Sequence, residues 1–452
     1  MSRFDVCVLG AGMAGLATAW HLGRAGVRTV VLEREAAPFR HSSGLNAGIL
    51  RTVVENEALG ELAARGSRAL LEPDPALSRS SFVDRVGLLL VADDERSARE
   101  LGRMTTFAAS PVFEVEPTEV AERVPHVRPR EHVAAFHLPE EGTIDLEALS
   151  HALIEGVRSS GGEIRPGTTA LEITTRDGRA RAVRTESGSI EAGTVVVAAG
   201  GWAGDLGAAA GSRVRLAPTR RHAARARVAR PVDPTWPVYW NLGDPFYTRP
   251  LGGDLMVCDC DQVPIEPDAC AVDRGAVERL RDAANRHLAD AYAPVELDTW
   301  CAMRTFGDGH VFTLGPDPDV EGLVWAADSA ATGSRPASRS VGWSRSPRAV
   351  STTSVSVRMR RVVPGEGGRR CTPAPSAPRN AKFTRRHRTQ RPRGAAQGGA
   401  GSREPTRAQR ASDRAPTIVV SVSSVAPCEF PRAARSGARQ SPARPLGRAS
   451  RS

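Results

Sequence analysis

Residues 4–35 read FDVCVLGAGMAGLATAWHLGRAGVRTVVLERE: an apolar run, a glycine turn, a helical pattern, a second apolar run and an acid. Few folds accept that order. Residues 4–9 are short and Val-rich, which suits a strand buried in a parallel sheet. Gly10, Gly12 and Gly15 follow at GxGxxG spacing. Gly10 permits the tight turn, Gly12 lets backbone approach a pyrophosphate at the helix N-terminus, and Gly15 allows the helix to pack closely on the strand. The pattern predicts a helix over 13–24, stopped at Gly26, and a second strand over 29–32. That strand ends at Glu33, whose carboxylate is placed to accept hydrogen bonds from a ribose diol and to repel a 2′-phosphate. FAD or NAD therefore suits the unit better than NADP. Arg34 adjoins Glu33 in the candidate set. The expected fold class is α/β, with a Rossmann-like dinucleotide-binding domain.

The formal charge of +10 is not spread along the chain. Residues 351–452 hold 22 of the 61 Lys and Arg and 4 of the 51 Asp and Glu, leaving 39 basic against 47 acidic residues in the first 350. The globular part is acidic, so the basic pI gives no reason to expect a nucleic-acid surface on it. About 330 globular residues correspond to two domains with ample core. The 7 cysteines include no CxxC pair. The N-terminus reads as a strand rather than a signal sequence, and no apolar run approaches the roughly 20 residues that span a bilayer. A soluble, cytoplasmic protein of a reducing compartment is expected. Cys258 and Cys260 sit two apart in an expected strand and so face one side. Without a nearby His they read as buried thiols rather than a metal pair, and no metal is expected.

Residues 40–72, RHSSGLNAGILRTVVENEALGELAARGSRALLE, open as a loop of small polar residues and continue as a helix with Leu59, Leu62, Ala63, Leu70 and Leu71 on its apolar face. Taken alone, the loop reads equally well as an ordinary N-cap and turn. Joined to the opening unit, it resembles the D-amino acid oxidase, glycine oxidase and sarcosine oxidase superfamily of flavoproteins, which includes D-amino acid dehydrogenases. The resemblance implies that the loop lies against the flavin and pyrophosphate of a non-covalently bound FAD, with Ser42, Ser43, Asn46, Ala47 and Gly48 as contacts.

Residues 140–178 predict Asp145 as an N-cap, a helix to about 159, a stop at Gly161 and Gly162, and strands around a turn at Asp177 and Gly178. By resemblance, the strand near Leu171 brings backbone groups to the adenine. The Val-rich strand over 194–199, followed by Gly200, Gly201 and Trp202, closes on the cofactor. Residues 77–136 and 216–302 alternate strands with short helices and read as a second, mostly antiparallel domain that roofs a substrate cavity. Its FYTRP stretch at 246–250 resembles the branch containing D-arginine dehydrogenase.

The chemistry this implies is transfer of a hydride from an amine-bearing carbon to flavin N5, followed by hydrolysis of the imine to the oxo acid. An amino-acid carboxylate calls for a planar cation. Arg304 is the candidate clamp, matching a family Arg that precedes a loop and an Asp-Gly, here Asp308 and Gly309; a surface salt bridge is the alternative. Tyr247 is the second catalytic candidate, as a phenol bonding substrate, against the reading of a packed sheet Tyr. Arg51 and His222 are weaker candidates. Cys301 lies near the place where sarcosine oxidase-type relatives bond the flavin covalently, with an inert buried thiol as the default.

After residue 327 the family continues with a segment resembling GLGGHGVTASxAVGRL, which brings backbone amides and a helix N-terminus to the flavin's pyrimidine edge. This chain reads DSAATGSRPASRSVGWS instead. Joining the last base of each codon to the first two of the next permits Leu from Asp328 and Ser329, Gly from Ser329 and Ala330, Gly from Ala330 and Ala331, His from Ala331 and Thr332, and Gly from Thr332 and Gly333. VTAS, one free position and AVGRLV follow through Ser344. The family motif thus lies one frame away, which favours loss of a single base near codon 328; a genuine C-terminal extension is the competing reading. The remainder is rich in Arg, Pro, Ser, Gly and Ala with no helical or strand period, and residues 346–452 are expected to be a disordered tail. RRHRTQRPR at 385–393 is accordingly not read as an evolved nucleic-acid arm.

The sequence therefore divides into an FAD-binding domain (1–75, 145–215 and 303–345), an interleaved substrate-binding α+β domain (76–144 and 216–302) and the tail. The expected activity is FAD-dependent oxidation of an amine or D-amino acid, favouring small or cationic substrates, with oxygen or an electron carrier as acceptor. The altered C-terminus is expected to impair it. A sarcosine-type N-methyl amino-acid oxidase, a non-catalytic remnant and an NAD-binding Rossmann protein remain open alternatives.

Overall fold

The computed structural model describes residues 4–307, 312–327 and the pair 424–425. These lie in one compact unit; a second, 356–417, falls outside the described residues, as do Asp308, Gly309, the segment 328–344 in which an out-of-frame motif is expected, and the expected tail apart from 424–425.

The opening pattern folds as expected, into strand Phe4–Leu9, helix Met13–Arg24 and strand Thr29–Leu32. The first strand lies centrally, parallel to Thr29–Leu32 on one side and to Gly188–Val197 on the other. Glu163–Arg165 and Leu323–Ala327 extend this parallel core outward. Antiparallel strands Glu172–Arg176, Arg179–Thr185 and Thr313–Pro316 complete an eight-stranded sheet. Its central strands have no polar face because helices cover it: Val6, Cys7, Val8, Leu9, Val30 and Val31 are all buried. Helix Leu146–Ser159 is capped by Asp145, which accepts from the Ala148 N–H at 2.8 Å, and its Leu149 and Leu153 share a core with Leu16 and Trp20 of the first helix. Asp177 and Gly178 have φ of 52° and 70°, the two left-handed residues that a tight hairpin turn requires. The Val-rich strand begins earlier than expected, at Gly188, and ends at Val197.

The second sheet has nine strands. Its spine is Leu216–Arg227, paired antiparallel along its length with Glu296–Gly307. Asp254–Cys258, Phe246–Leu251, Val238–Asn241, Leu88–Ala92 and Ala134–Leu138 follow in order. Only Val238–Asn241 with Leu88–Ala92 is parallel among these neighbours. Because side chains alternate along a strand, the two faces belong to different cores. Ala224, Ala226, Tyr239 and Phe246 pack against helix Arg274–His287 through Leu280 and Ala284. Ala223, Trp240, Tyr247, Met256 and Ala302 face the core shared with the first helix. The domain boundary expected at 303 falls inside strand Glu296–Gly307. Cys260 lies beyond the strand end at Cys258, at a left-handed φ of 57°, and its N–H is directed at the Cys258 Sγ.

A small third sheet joins Asn46–Leu50 to Gly142–Ile144 and Val83–Asp84, with Ser424–Val425 on its outer edge. No helix among the described residues is long and apolar enough to cross a membrane.

Candidate functional site

A cavity of about 480 Å3 opens at the C-terminal ends of the first sheet's parallel strands, where open α/β sheets place ligands. Gly10 turns the chain at a φ of 99°. A Cβ on Gly15 would meet the Gly10 carbonyl oxygen at 1.9 Å, so the helix sits against the strand as closely as backbone allows. A Cβ on Gly12 would meet only the Ser43 Oγ, at 2.9 Å. That hydroxyl accepts from the Met13 N–H at 2.9 Å, supplying the side-chain cap that Gly12 lacks.

Glu33 holds the turn from below. Its Oε2 accepts from the Ala11 N–H at 2.8 Å and its Oε1 from the Glu35 N–H at 2.9 Å. Arg34 lies over the Trp202 ring at 4.5 Å and pairs with Asp268, to which the Trp202 Nε1 also donates at 3.0 Å. Ser42 donates to the Met303 carbonyl at 2.8 Å, the Trp300 Nε1 to the Leu45 carbonyl at 3.3 Å, and the Arg249 Nε to the Ala47 carbonyl at 2.6 Å. The loop over 40–48 is therefore bonded to the first helix and to the second sheet.

Gly10, Gly12, Glu33, Arg34, Ser42, Ser43, Asn46, Leu171, Gly200 and Trp202 all line the cavity. Gly15, Ala47 and Gly48 do not: Gly15 is the packing contact behind the turn, Ala47 is fully buried, and the Gly48 N–H is tied to the Asn46 Oδ1 at 3.0 Å. Met303, Thr305 and Thr168 line it without having been singled out in the sequence. The donor set fits FAD. A glycine turn leads into a helix N-terminus for the pyrophosphate, an acid for the ribose stands at the neighbouring strand end, and the absence of a Cβ on Gly12 keeps the approach open.

The inward face of the second sheet carries a different chemistry. Arg304 pairs in register with Thr219 and Arg221 with Ala302, which sets both guanidinium-bearing residues on one face. Arg304 is 5% exposed, Arg221 1% and Tyr247 0%. Burial, reinforced by the neighbouring Arg221 charge, lowers Arg304 to about 10, which leaves it a cation at neutral pH. Burial also pushes the Tyr247 phenol well above its ordinary value, so it stands as a neutral donor. The Tyr247 hydroxyl and the Arg221 Nη1 and Nη2 have no hydrogen-bond partner, while the Arg221 Nε donates to the Asp261 carbonyl at 2.7 Å.

His222 and Cys301 are one residue out of phase with this face and pair with each other in register. His222 is buried with its Nδ1 2.7 Å from the Asp261 Oδ2 and its Nε2 accepting from the Asp273 N–H at 3.1 Å, a fully satisfied imidazole. The Cys301 Sγ lies 3.3 Å from the Cys270 Sγ. Arg51 projects onto the Trp240 ring, 4.4 Å from its centroid.

A parallel-sheet nucleotide cleft closed by an antiparallel sheet with a buried cationic face is the architecture of a two-domain, nucleotide-dependent oxidoreductase. Residues 5–334 match the family model described as FAD dependent oxidoreductase, and the chain belongs to that family, whose members are FAD-dependent enzymes of amino acids and amines. It is 26% identical over 339 residues to a glycine oxidase of Geobacillus kaustophilus, covering 72% of this chain and 87% of that one. It is 29% identical over 268 residues to a sarcosine oxidase subunit beta of Rhodobacter capsulatus, covering 56% and 63%. The crystal structure of glycine oxidase from Geobacillus kaustophilus superposes with a TM-score of 0.64 at 23% identity, covering 73% of this chain and 90% of the other, a likeness of fold.

Proposed function

We propose that the chain oxidises the α-amine of a D-amino acid with FAD held in the cleft. The observation that carries this reading is the pairing of a buried cation, Arg304, with an unpartnered buried phenol, Tyr247, on one sheet face next to a nucleotide cleft. Bound FAD supplies the hydride acceptor, and the imine left behind hydrolyses to the oxo acid. Arg304 receives the substrate carboxylate as a planar fork and Tyr247 donates to it, which fixes the amine-bearing carbon in one orientation. Burial of both excludes competing water and strengthens each bond.

The backbone at Gly10 and Gly12 and the side chains of Ser42, Ser43 and Asn46 hold the pyrophosphate and ring. Glu33 takes the ribose, and Arg34, Leu171, Gly200 and Trp202 enclose the adenosine end. Gly15, Ala47 and Gly48 shape the support behind them. The Cys301 thiol faces Cys270, which favours a non-covalent flavin. The FYTRP strand, Phe246–Leu251, supports placement near the D-arginine dehydrogenase branch.

The same reading includes loss of one base near codon 328, supported by the family segment legible across codon junctions and by a family match that ends at residue 334. It follows that the chain as given retains FAD weakly. The test expresses this chain and a version with one base restored, then measures bound flavin and anaerobic flavin bleaching with a panel of D-amino acids and N-methyl amino acids. Bleaching in the restored chain supports the reading. Stoichiometric flavin in the unrestored chain removes the frameshift, and no flavin in either removes the enzyme. A sarcosine-type substrate is the second reading, favoured by the 29% identity to a sarcosine oxidase subunit beta, and the N-methyl members of the panel decide it.

A further inference from the structure

Cys270 and Cys301 are 31 residues apart in the chain, and their Sγ atoms stand 3.3 Å apart. A disulfide sets its sulfurs about 2.05 Å apart, so this pair has roughly 1.2 Å to close. The two sides differ in freedom. Cys301 lies within strand Glu296–Gly307 and pairs in register with His222, which fixes its backbone. Cys270 follows a single 3-10 turn, Pro267–Ala269, and precedes the Asp273 cap of helix Arg274–His287. Asp268, Ala269, Ala271 and Val272 around it are exposed. The short connecting segment can therefore make the approach while the strand stands still.

The other described thiols are placed differently. Cys7, Cys258 and Cys260 are buried, as is Cys301, whereas Cys270 is half-buried. Burial pushes Cys7 up to about 12 and Cys258 well above the ordinary thiol value. The Cys258 thiol lowers Cys260, but that sulfur belongs to a residue only 4% exposed. At Cys270 a hydrogen bond from the Cys301 thiol lowers the pKa against the burial that opposes it, and the Arg220 guanidinium adds to the lowering. Arg220 is held nearby, its Nη2 3.5 Å from the Asp273 Oδ2, and its Nε has no hydrogen-bond partner. The same sulfur contact, with burial, raises Cys301. A reachable sulfur that ionises thus faces a buried one that keeps its proton, the division between an attacking and a resolving thiol.

We propose that Cys270 and Cys301 form a redox-active dithiol that a hydroperoxide closes to a disulfide. The Cys270 thiolate attacks a peroxide oxygen and the O–O bond breaks. Cys270 becomes the sulfenic acid, and the leaving oxygen takes up the proton that Cys270 gave to solvent. The Cys301 Sγ then attacks the Cys270 Sγ, the S–O bond breaks, and the departing hydroxide leaves as water with the Cys301 proton. Two thiols lose two electrons, and hydrogen peroxide is reduced to two waters. A dithiol reductant reverses the closure. The couple is separate from hydride transfer in the cleft, and it gives Cys301 the role of resolving thiol.

The test treats the reduced, purified full chain with hydrogen peroxide, alkylates it in denaturant and maps its peptides by mass spectrometry. Cleavage before Asp sets Cys270 on 268–272 and Cys301 on 298–307, apart from Cys258 and Cys260. The expected product is 268–272 linked to 298–307 with the loss of two hydrogens, reversed by dithiothreitol. It should form at least about tenfold faster than oxidation of Cys7, Cys258 or Cys260. In Cys301→Ser the link should vanish and a cyclic 1,3-diketone should label Cys270 as its sulfenic acid; in Cys270→Ser, Cys301 should stay reduced. Both thiols remaining reduced in the parent chain overturns the proposal, as does linkage of either to a different cysteine. A 298–307 peptide carrying covalent flavin overturns it as well.

Discussion

Replacing Glu33 with Gln tests whether this acid supports the glycine turn as well as the cofactor. The carboxylate is 8% exposed and accepts two backbone N–H bonds, from Ala11 at 2.8 Å and Glu35 at 2.9 Å. Gln keeps one carbonyl oxygen and turns its amide nitrogen, a donor, toward the other N–H. One charge-assisted bond is lost, worth about 1.5–3 kcal/mol. With an unfolding entropy near 2.1 cal/mol/K per residue and roughly 320 described residues, that corresponds to a fall in Tm of about 2–4 °C. The ribose diol loses a charged acceptor as well, so FAD affinity should fall about tenfold to a hundredfold. The assay is thermal melting of flavin-free protein together with flavin fluorescence quenching. A Tm unchanged without flavin refutes the argument, because it would mean that the two backbone bonds contribute nothing to the turn.

Three further substitutions separate packing from binding and neutral from charged states. Gly15→Ala should destabilise the fold by about 2–3 kcal/mol or more, because its Cβ would sit 1.9 Å from the Gly10 carbonyl oxygen. Gly12→Ala should lose less, about 0.5–2 kcal/mol, because its Cβ displaces the Ser43 hydroxyl that caps the first helix, yet it should bind FAD poorly; melting curves and flavin titration on the same samples distinguish them. His126 is buried with both ring nitrogens unpartnered, stacked on Trp236 at 5.0 Å, and burial lowers it to about 3 from 6.5. The unfolded chain takes up this proton first as pH falls, so stability present above pH 6.5 is lost between 6.5 and about 3, amounting to about 2 kcal/mol at pH 5. His126→Phe should therefore gain stability over the parent on going from pH 7 to pH 5, read as a widening Tm difference, and a constant difference would sink the assignment.

The first unit was legible to the residue because everything that specifies it is local. The strand at Phe4–Leu9, helix at Met13–Arg24 and strand at Thr29–Leu32 follow from apolar runs, glycine spacing and a terminal acid. Asp145 as a cap and the turn at Asp177 and Gly178 are equally local, each requiring a particular side chain or a left-handed backbone. The cationic face was not legible. On the strand Leu216–Arg227 charged residues occupy both alternations, Arg221 on one and Arg220 and His222 on the other, so period two gives no direction. Only the pairing with Glu296–Gly307 brings Arg221 beside Arg304, and only the fold lays Arg51 on Trp240. Arg221 was missed for that reason, and Arg51 was ranked below Tyr247. The end of the Val-rich strand was misjudged by two residues, because Ala198 and Ala199 continue its apolar run while the chain already bends toward Gly200.

The loop over 40–48 acts mechanically as a rivet. Four of its groups are fastened across the molecule: Ser43 to the first helix, and Ser42, Leu45 and Ala47 to Met303, Trp300 and Arg249 of the second sheet. A piece bearing the second sheet without this loop would strip the Arg249 Nε and the Trp300 Nε1 of their acceptors, and a piece bearing the first sheet without it would leave the first helix uncapped. The two halves cannot be traded between proteins like beads on a string; a graft that moves either must carry this loop and its anchor points with it. A substitution at Trp300 or Arg249 should accordingly be felt at the mouth of the nucleotide cleft, on the far side of the loop from where it was made.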